Sequence, residues 1–234
     1  MSIDIKVFNQ RAREIQRLVR RASPALVYSG PLGIAIAAPL RPGTNWRAGK
    51  VLDRMAFIGR GDTGARVLAH KIASAEARSI AGRFSQGDVK GHEPALAIGR
   101  ALQESNHRYT LGAPLPVEAC FVQLNATPET DYLAYISVQG TVRAFHKAWF
   151  LGESASETAS ATEREEAANQ LNDSLTNTLG DYERFSDLWE ALDRLDLQEP
   201  VKALRSSPRL DIVILDRKAL ERHEYEKVFQ RLAL

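Results

Sequence analysis

Residues 25–38, ALVYSGPLGIAIAA, decide the fold class of this chain. Two apolar stretches, 25–28 and 32–38, flank Ser29-Gly30-Pro31, and these three residue types favour a turn. The segment therefore predicts a β-hairpin. The second stretch contains no polar side chain, which is typical of a strand that is buried on both faces. We therefore expect other elements of the chain to cover both sides of this hairpin.

A helix is predicted immediately before the hairpin. An apolar residue recurs every three or four positions, which places one apolar stripe along a helix, at Phe8, Ala12, Ile15, Val19 and Ala22. Pro24 should end this helix, because proline disfavours helical geometry in the residue before it. Residues 1–7 precede the stripe, and terminal segments of this kind are usually mobile.

Two helices are predicted downstream of the hairpin. Residues 39–49 contain two prolines and two glycines and are predicted to be a loop, followed by a short strand at 55–59. Apolar residues at helical spacing then predict a long helix over 62–83 and a second helix through 95–102. Phe84–Gly91 is the polar connection between them.

The remainder of the chain repeats this order of strands and helices. Strands are predicted at 117–124, 132–139 and 141–150, with Gln139-Gly140 as a tight turn. Leucine spacing predicts a second helical pair over 171–204, a strand at 210–215 and a closing helix over 218–234. No long polar linker divides the sequence. We therefore expect one α+β domain over 1–234, with two packed sheets and a helical layer outside each.

Composition excludes several classes of protein. The 234 residues carry a net charge of only +2, which gives no case for a nucleic-acid partner. No stretch approaches the roughly 20 apolar residues that span a membrane. The single Cys120 cannot form an intramolecular disulfide, which suits a cytoplasmic location. The five histidines fit no metal-binding spacing, and no cofactor motif is present, so neither a metal nor a cofactor is expected.

Charge is distributed unevenly, and this favours association with other subunits. Residues 1–23 carry a net charge of +4, and residues 153–184 carry −6. Opposite patches suit electrostatic matching between neighbouring chains, although two solvated helix faces would give the same pattern.

Five stretches spread along the chain carry a resemblance to a known family. They are RASPALVYSG (21–30), LDRMAFIGRGD (52–62), AEARSIAGRFSQGDVKGHEPALAIGRAL (75–102), PLPVEACFVQL (114–124) and RLDIVILDRKALERHEYEKVFQRL (209–232). In their order and spacing they resemble the α-type subunit of bacterial, actinobacterial-type proteasome core particles. The resemblance implies the four-layer αββα sandwich of the N-terminal-nucleophile hydrolases with an extra N-terminal helix. It also implies a homo-oligomeric ring, expected to be a heptamer, stacked on a ring of proteolytic β-subunits and docked by a ring-shaped AAA ATPase.

The resemblance predicts a subunit without catalytic residues. Such a hydrolase needs a Thr, Ser or Cys with a free amine at the start of the first strand, and a nearby lysine. The nucleophile position falls at about Arg21, the acid position at Ala37 or Ala38, and the lysine position near Arg54. An active, self-processing threonine-type peptidase of the same fold remains the alternative, either a β-subunit or a self-compartmentalising homologue. An unrelated α/β binding module with a helical cap is a third.

The resemblance also assigns roles to parts of this sequence. The gate of the axial pore would comprise Met1, Ser2, Ile3, Asp4, Ile5, Lys6, Val7 and Phe8. The ring-contact helix would be 5–21, with Phe8, Ala12, Ile15 and Val19 as its stripe. Arg47 and Lys50 would form the pocket for the carboxylate of the ATPase activator, since arginine can bind both oxygens of a carboxylate.

Overall fold

The computed structural model describes residues 5–40, 47–107, 114–152, 207 and 209–233, with isolated positions at 170, 173 and 177. The predicted helical pair over 171–204 lies outside the described residues, apart from two of those isolated positions. The gate residues 1–4 also lie outside them.

Helices and strands follow one another in an order close to the predicted one. They are α1 (Ile5–Arg20), β1 (Ala25–Gly30), β2 (Gly33–Pro39), β3 (Ala48–Leu52), β4 (Met55–Gly61), α2 (Thr63–Arg83), α3 (His92–His107), β5 (Val117–Gln123), β6 (Tyr132–Ile136), β7 (Val142–Ala144), β8 (Ala148–Leu151), β9 (Leu210–Asp216), α4 (Arg217–Glu221), α5 (Tyr225–Val228) and β10 (Phe229–Ala233).

The strands form two five-stranded antiparallel sheets. The first sheet has the order β10-β9-β2-β1-β8, and the second has the order β3-β4-β5-β6-β7. The predicted hairpin is confirmed: β1 pairs with β2 up to Gly30 opposite Gly33, so the turn consists of Pro31 and Leu32. The protein is thus a mixed α+β structure with two antiparallel sheets.

Two apolar layers hold these elements together. The first lies between the sheets, where Val27 and Ile36 of the first sheet share a cluster with Ile58 and Val122 of the second. The second lies between the second sheet and the helices α2 and α3. The side chains of β1, β2 and β9 that point away from the second sheet, such as Leu26 and Ile212, are buried as well. Both faces of the first sheet are therefore covered, as the apolar hairpin predicted.

Helix α2 matches its predicted bounds, and its amino end carries a clear local signal. Asp62 caps the helix by accepting a hydrogen bond from the backbone N–H of Ala65 at 3.0 Å. Four alanines at four-residue spacing, Ala65, Ala69, Ala73 and Ala77, form its buried face. These small side chains allow the helix to approach the sheet closely.

The prediction of one strand over 141–150 is wrong. The chain forms β7 in the second sheet and β8 in the first, separated by Phe145–Lys147. Lys147 has a φ of 65°, and its carbonyl oxygen accepts a hydrogen bond from the N–H of Ser29 at 2.6 Å. This segment therefore crosses from one sheet to the other, which an alternating sequence pattern does not reveal.

Two further predictions need correction. The predicted loop over 39–49 gives way to β3 at Ala48, and β3 pairs with β4. The predicted closing helix over 218–234 is replaced by two short helices and a strand, because Phe229–Ala233 pairs with β9. Within the described part of the chain, no helix has both the length and the apolar character needed to span a membrane.

Candidate functional site

The segment that joins α1 to β1, residues 20–24, is where a catalytic nucleophile would lie in the fold that the sequence resembles. We call it the α1–β1 junction. Two buried arginines, Arg60 of β4 and Arg47 just before β3, bind its carbonyl oxygens. Arg60 donates to the oxygens of Arg20 and Ala22 at 2.8 and 3.0 Å. Arg47 donates to those of Ser23 and Pro24 at 2.7 and 2.8 Å. The two arginine residues are only 5% and 7% exposed.

Arg60 suits the end of a helix. The last carbonyls of a helix lack intrahelical partners, and a cation is favourable there. Arg60 also pairs with Glu118 at 2.7 Å, and the second carboxylate oxygen of Glu118 accepts from the hydroxyl of Tyr135 at 3.0 Å. Burial, followed by the adjacent Glu118, raises the pKa of Tyr135 well above its usual range. The phenol therefore stays protonated and keeps donating to Glu118. The carboxylate of Glu118 balances the charge of Arg60 inside the protein.

Arg47 is held in place by a buried carboxylate. Asp211, at the start of β9, is fully buried and accepts from the backbone N–H groups of Arg47 and Ala48 at 2.8 and 2.9 Å. Its other oxygen pairs with Arg231 of β10 at 2.9 Å. The guanidinium of Arg47 also reaches the carbonyl oxygen of Gly59 at 3.3 Å. One carboxylate thus ties β9 and β10 to the entry of β3 and to the α1–β1 junction.

The junction lacks the parts of a nucleophilic site. Arg21 is exposed and carries no nucleophile. Ser23 lies two residues beyond the expected nucleophile position and immediately before Pro24. The cation nearest to the start of β1 is Arg47, whose guanidinium cannot accept a proton. Ala37 and Ala38, at the predicted acid position, lie in β2 with buried methyl groups.

The sequence put the lysine position of the hydrolase near Arg54, but Arg54 donates to a different part of the chain. It lies in the turn between β3 and β4 and donates to the carbonyl oxygen of Gly87, in the connection between α2 and α3, at 2.9 Å. The unpredicted strand β3 explains the difference. Because β3 pairs with β4, Arg47, which lies seven residues before Arg54, contacts the start of β1.

Arg47 and Lys50, the expected carboxylate pocket, lie in different surroundings, and the predicted loop ends at Arg47 because β3 begins at Ala48. Arg47 is buried and engaged with carbonyl oxygens. Lys50 lies in β3 and forms a partly exposed ion pair with Asp53 at 2.8 Å. The carbonyl oxygen of Lys50 contacts Nε2 of His70 at 2.9 Å. Of the two basic side chains, Lys50 is the one that an external carboxylate could reach.

The leading helix presents a basic face to solvent. Ile15 and Val19 of the apolar stripe are buried within the chain, whereas Arg13, Arg17 and Leu18 are exposed. Glu14 is exposed on the same face and pairs with Arg17 at 3.6 Å. Residues 5–8 of the expected gate form the first turn of α1.

Sequence reasoning missed a second buried cluster at the opposite end of the hairpin. Arg217 of α4 pairs with buried Asp131 at 2.8 Å and also donates to the carbonyl oxygens of Gly30 and Pro31. Asp131 accepts from the hydroxyl of Ser29 at 2.6 Å and from the N–H of Asn125 at 2.7 Å. The cluster joins both sheets and is internally balanced, so its role is structural. No sequence motif identifies it.

Other chemistry is not supported by the described part of the chain. Its histidines, cysteine and carboxylates include no group of three that could hold a metal ion. Burial raises the pKa of the Cys120 thiol well above its usual range, so this cysteine is unreactive.

Comparison with protein-family models finds no match for this chain, and comparison with curated proteins finds none either.

Proposed function

We propose that this chain is a non-catalytic α-type subunit of a bacterial-type proteasome core particle, with a four-layer αββα sandwich. Two observations support the fold. The two sheets pack face to face, with α2 and α3 outside the second sheet. The outward face of the first sheet is buried too, as a fourth layer requires. Helix α1, which precedes β1, is the extra N-terminal helix outside the four layers.

The α1–β1 junction carries the functional proposal. An N-terminal-nucleophile hydrolase must release a free amine at the start of its first strand and leave space there for a substrate carbonyl. Here Arg47 and Arg60 hold four of the five carbonyl oxygens of the junction. A junction built from buried, charge-assisted hydrogen bonds fixes α1 in place instead of exposing a cleavage point.

The resulting function is structural and regulatory. Copies of the chain form an end ring, expected to be a heptamer, on a ring of β-subunits in the cytoplasm. The segment Met1–Phe8 controls entry to the axial pore, and a ring-shaped AAA ATPase docks on the outer surface. Contact with a neighbouring subunit would use the exposed Arg13 and Arg17 of α1, whose charge suits the acidic residues of 153–184.

The test combines mass, assembly and activity. We expect the purified chain to keep its full 25.9 kDa mass, to hydrolyse no fluorogenic peptide, and to form closed rings, alone or with β-subunits, in native mass spectrometry and electron microscopy. A processed chain with an N-terminal Thr, Ser or Cys and inhibitor-sensitive turnover would establish the active peptidase instead. A strict monomer that binds no β-subunit would contradict both.

A further inference from the structure

Arg66, in the first turn of α2, is a buried guanidinium with few partners. The residue is 8% exposed, and its Nη2 donates to the hydroxyl of Thr63 at 3.0 Å. Its Nε is buried without an acceptor. Within the described part of the chain, no carboxylate forms an ion pair with it. Burial lowers the pKa of Arg66, and the charges of Asp62 and Asp211 oppose that shift from beyond ion-pair distance.

This arrangement is unusual for a buried cation. Buried charged side chains are normally paired, and a buried donor without an acceptor calls for a specific explanation. The other buried arginines differ in this respect. Arg60 and Arg217 each bind a carboxylate, and Arg47 donates to three carbonyl oxygens. Arg66 has one neutral hydroxyl.

The surroundings of Arg66 favour an anion. Its guanidinium contacts Thr63, the first residue of the 21-residue helix α2, so it lies at the amino end of that helix. The first N–H groups of a helix lack intrahelical acceptors, and the helix dipole is positive there. Gly64 leaves this backbone open, since a Cβ at that position would meet only Oδ1 of Asp62, at 3.2 Å.

We propose that Arg66, Thr63 and the amino end of α2 form a binding site for one oxyanion. The guanidinium supplies charge-assisted hydrogen bonds, and the hydroxyl of Thr63 and the first backbone N–H groups supply further donors. A carboxylate and a phosphate present the same chemistry to such a site. The occupant is either a free oxyanion or a carboxylate of a neighbouring subunit. Phosphate binding by the isolated chain does not depend on the proposed function, because the site lies within one chain, whereas the assignment of a subunit carboxylate rests on that function.

Asp62 opposes binding and provides a sharp control. Its carboxylate caps α2 through Ala65 and lies at the same end of the helix as Arg66. The variant Asp62→Asn keeps a good capping side chain but removes the negative charge. We therefore expect Asp62→Asn to bind an anion several-fold more tightly than the wild type.

The experiment measures binding of inorganic phosphate to the purified full chain by calorimetry, at constant ionic strength set with chloride. We expect saturable binding that weakens at least about tenfold in Arg66→Gln, since a charge-assisted hydrogen bond is lost. Arg78→Gln, an exposed change on the same helix, should bind like the wild type. Without phosphate, Arg66→Gln should melt no lower than the wild type, because a buried charge lacking a carboxylate partner is removed.

The two sources of the anion are separated by repeating the titration on assembled rings. Phosphate binding that persists in the ring identifies a free oxyanion. Binding that disappears in the ring and returns on dissociation identifies a subunit carboxylate. The proposal is overturned if phosphate binds no better than chloride, or if Arg66→Gln and the wild type bind phosphate equally.

Discussion

The buried arginines of the described chain show how one residue type stabilises different parts of the fold. Arg217 is surrounded by acceptors, including both oxygens of Asp131. Ionic groups that are removed from water cost several kcal/mol unless each is fully paired. The Arg217–Asp131 pair meets this condition, because Ser29 and Asn125 also donate to the carboxylate. Each partner is therefore costly to remove alone.

Replacing Asp131 by alanine should destabilise the chain severely. The change leaves Arg217 buried without its carboxylate, which costs roughly 3–5 kcal/mol of unfolding free energy. The control is Asp53→Ala, which removes the acid of the partly exposed Lys50 pair and should cost less than about 1 kcal/mol. Urea denaturation of both variants measures the difference. Similar losses in the two would show that the Arg217 cluster contributes no more than a surface pair.

At the level of single elements, local signals decided which predictions succeeded. Helix α2 was located correctly because apolar residues recur at helical spacing along its whole length. β7 and β8 were merged because the break between them depends on long-range pairing of β8 with β1. β10 was taken for helix for the same reason, since its partner β9 supplies the hydrogen bonds that override local preference.

Gly140, in the turn between β6 and β7, and Gly82, in α2, give a matched pair of glycine substitutions. Gly140 has a φ of 83°, and a Cβ there would collide with the carbonyl oxygen of Gly99 in α3. Gly140→Ala should therefore lower stability by about 1–3 kcal/mol. Gly82 lies in α2 with nothing within 4 Å of a Cβ, so Gly82→Ala should raise stability by roughly 0.5–1 kcal/mol. Opposite shifts in thermal midpoint are expected, and shifts of the same sign would contradict this reading of the turn.

At the scale of the whole molecule, the sequence predicted the sheets better than the site. Apolar stretches mark the strands, because burial depends directly on side-chain hydrophobicity. The α1–β1 junction depends instead on arginine side chains that bind backbone carbonyls, and such contacts have no sequence pattern. Arg47 was expected to be accessible because β3 was not predicted. The contact of Arg47 with the start of β1 follows only from the pairing of β3 with β4.

This correction separates two roles that the sequence had assigned jointly to Arg47 and Lys50. Arg47 stabilises the junction from inside, so Arg47→Ala should lower the stability of the chain and impair ring assembly. Lys50 remains partly exposed in β3, where its pair with Asp53 leaves the charge accessible to solvent. If the ATPase docks its terminal carboxylates in this region, Lys50 is the residue to test.

We expect Lys50→Ala to weaken ATPase binding to assembled core particles by about tenfold, because the loss of one charge-assisted contact is repeated in every subunit of the ring. Ring assembly should be unchanged, since only a partly exposed ion pair is lost. Salt should weaken binding to wild-type particles more than to the variant, because exposed charges are screened. Lys71→Ala, an exposed change on α2, controls for net charge. Binding measured across a salt series by interferometry decides the matter. Equal affinities and equal salt slopes for Lys50→Ala and the wild type would place the docking pocket elsewhere on the ring.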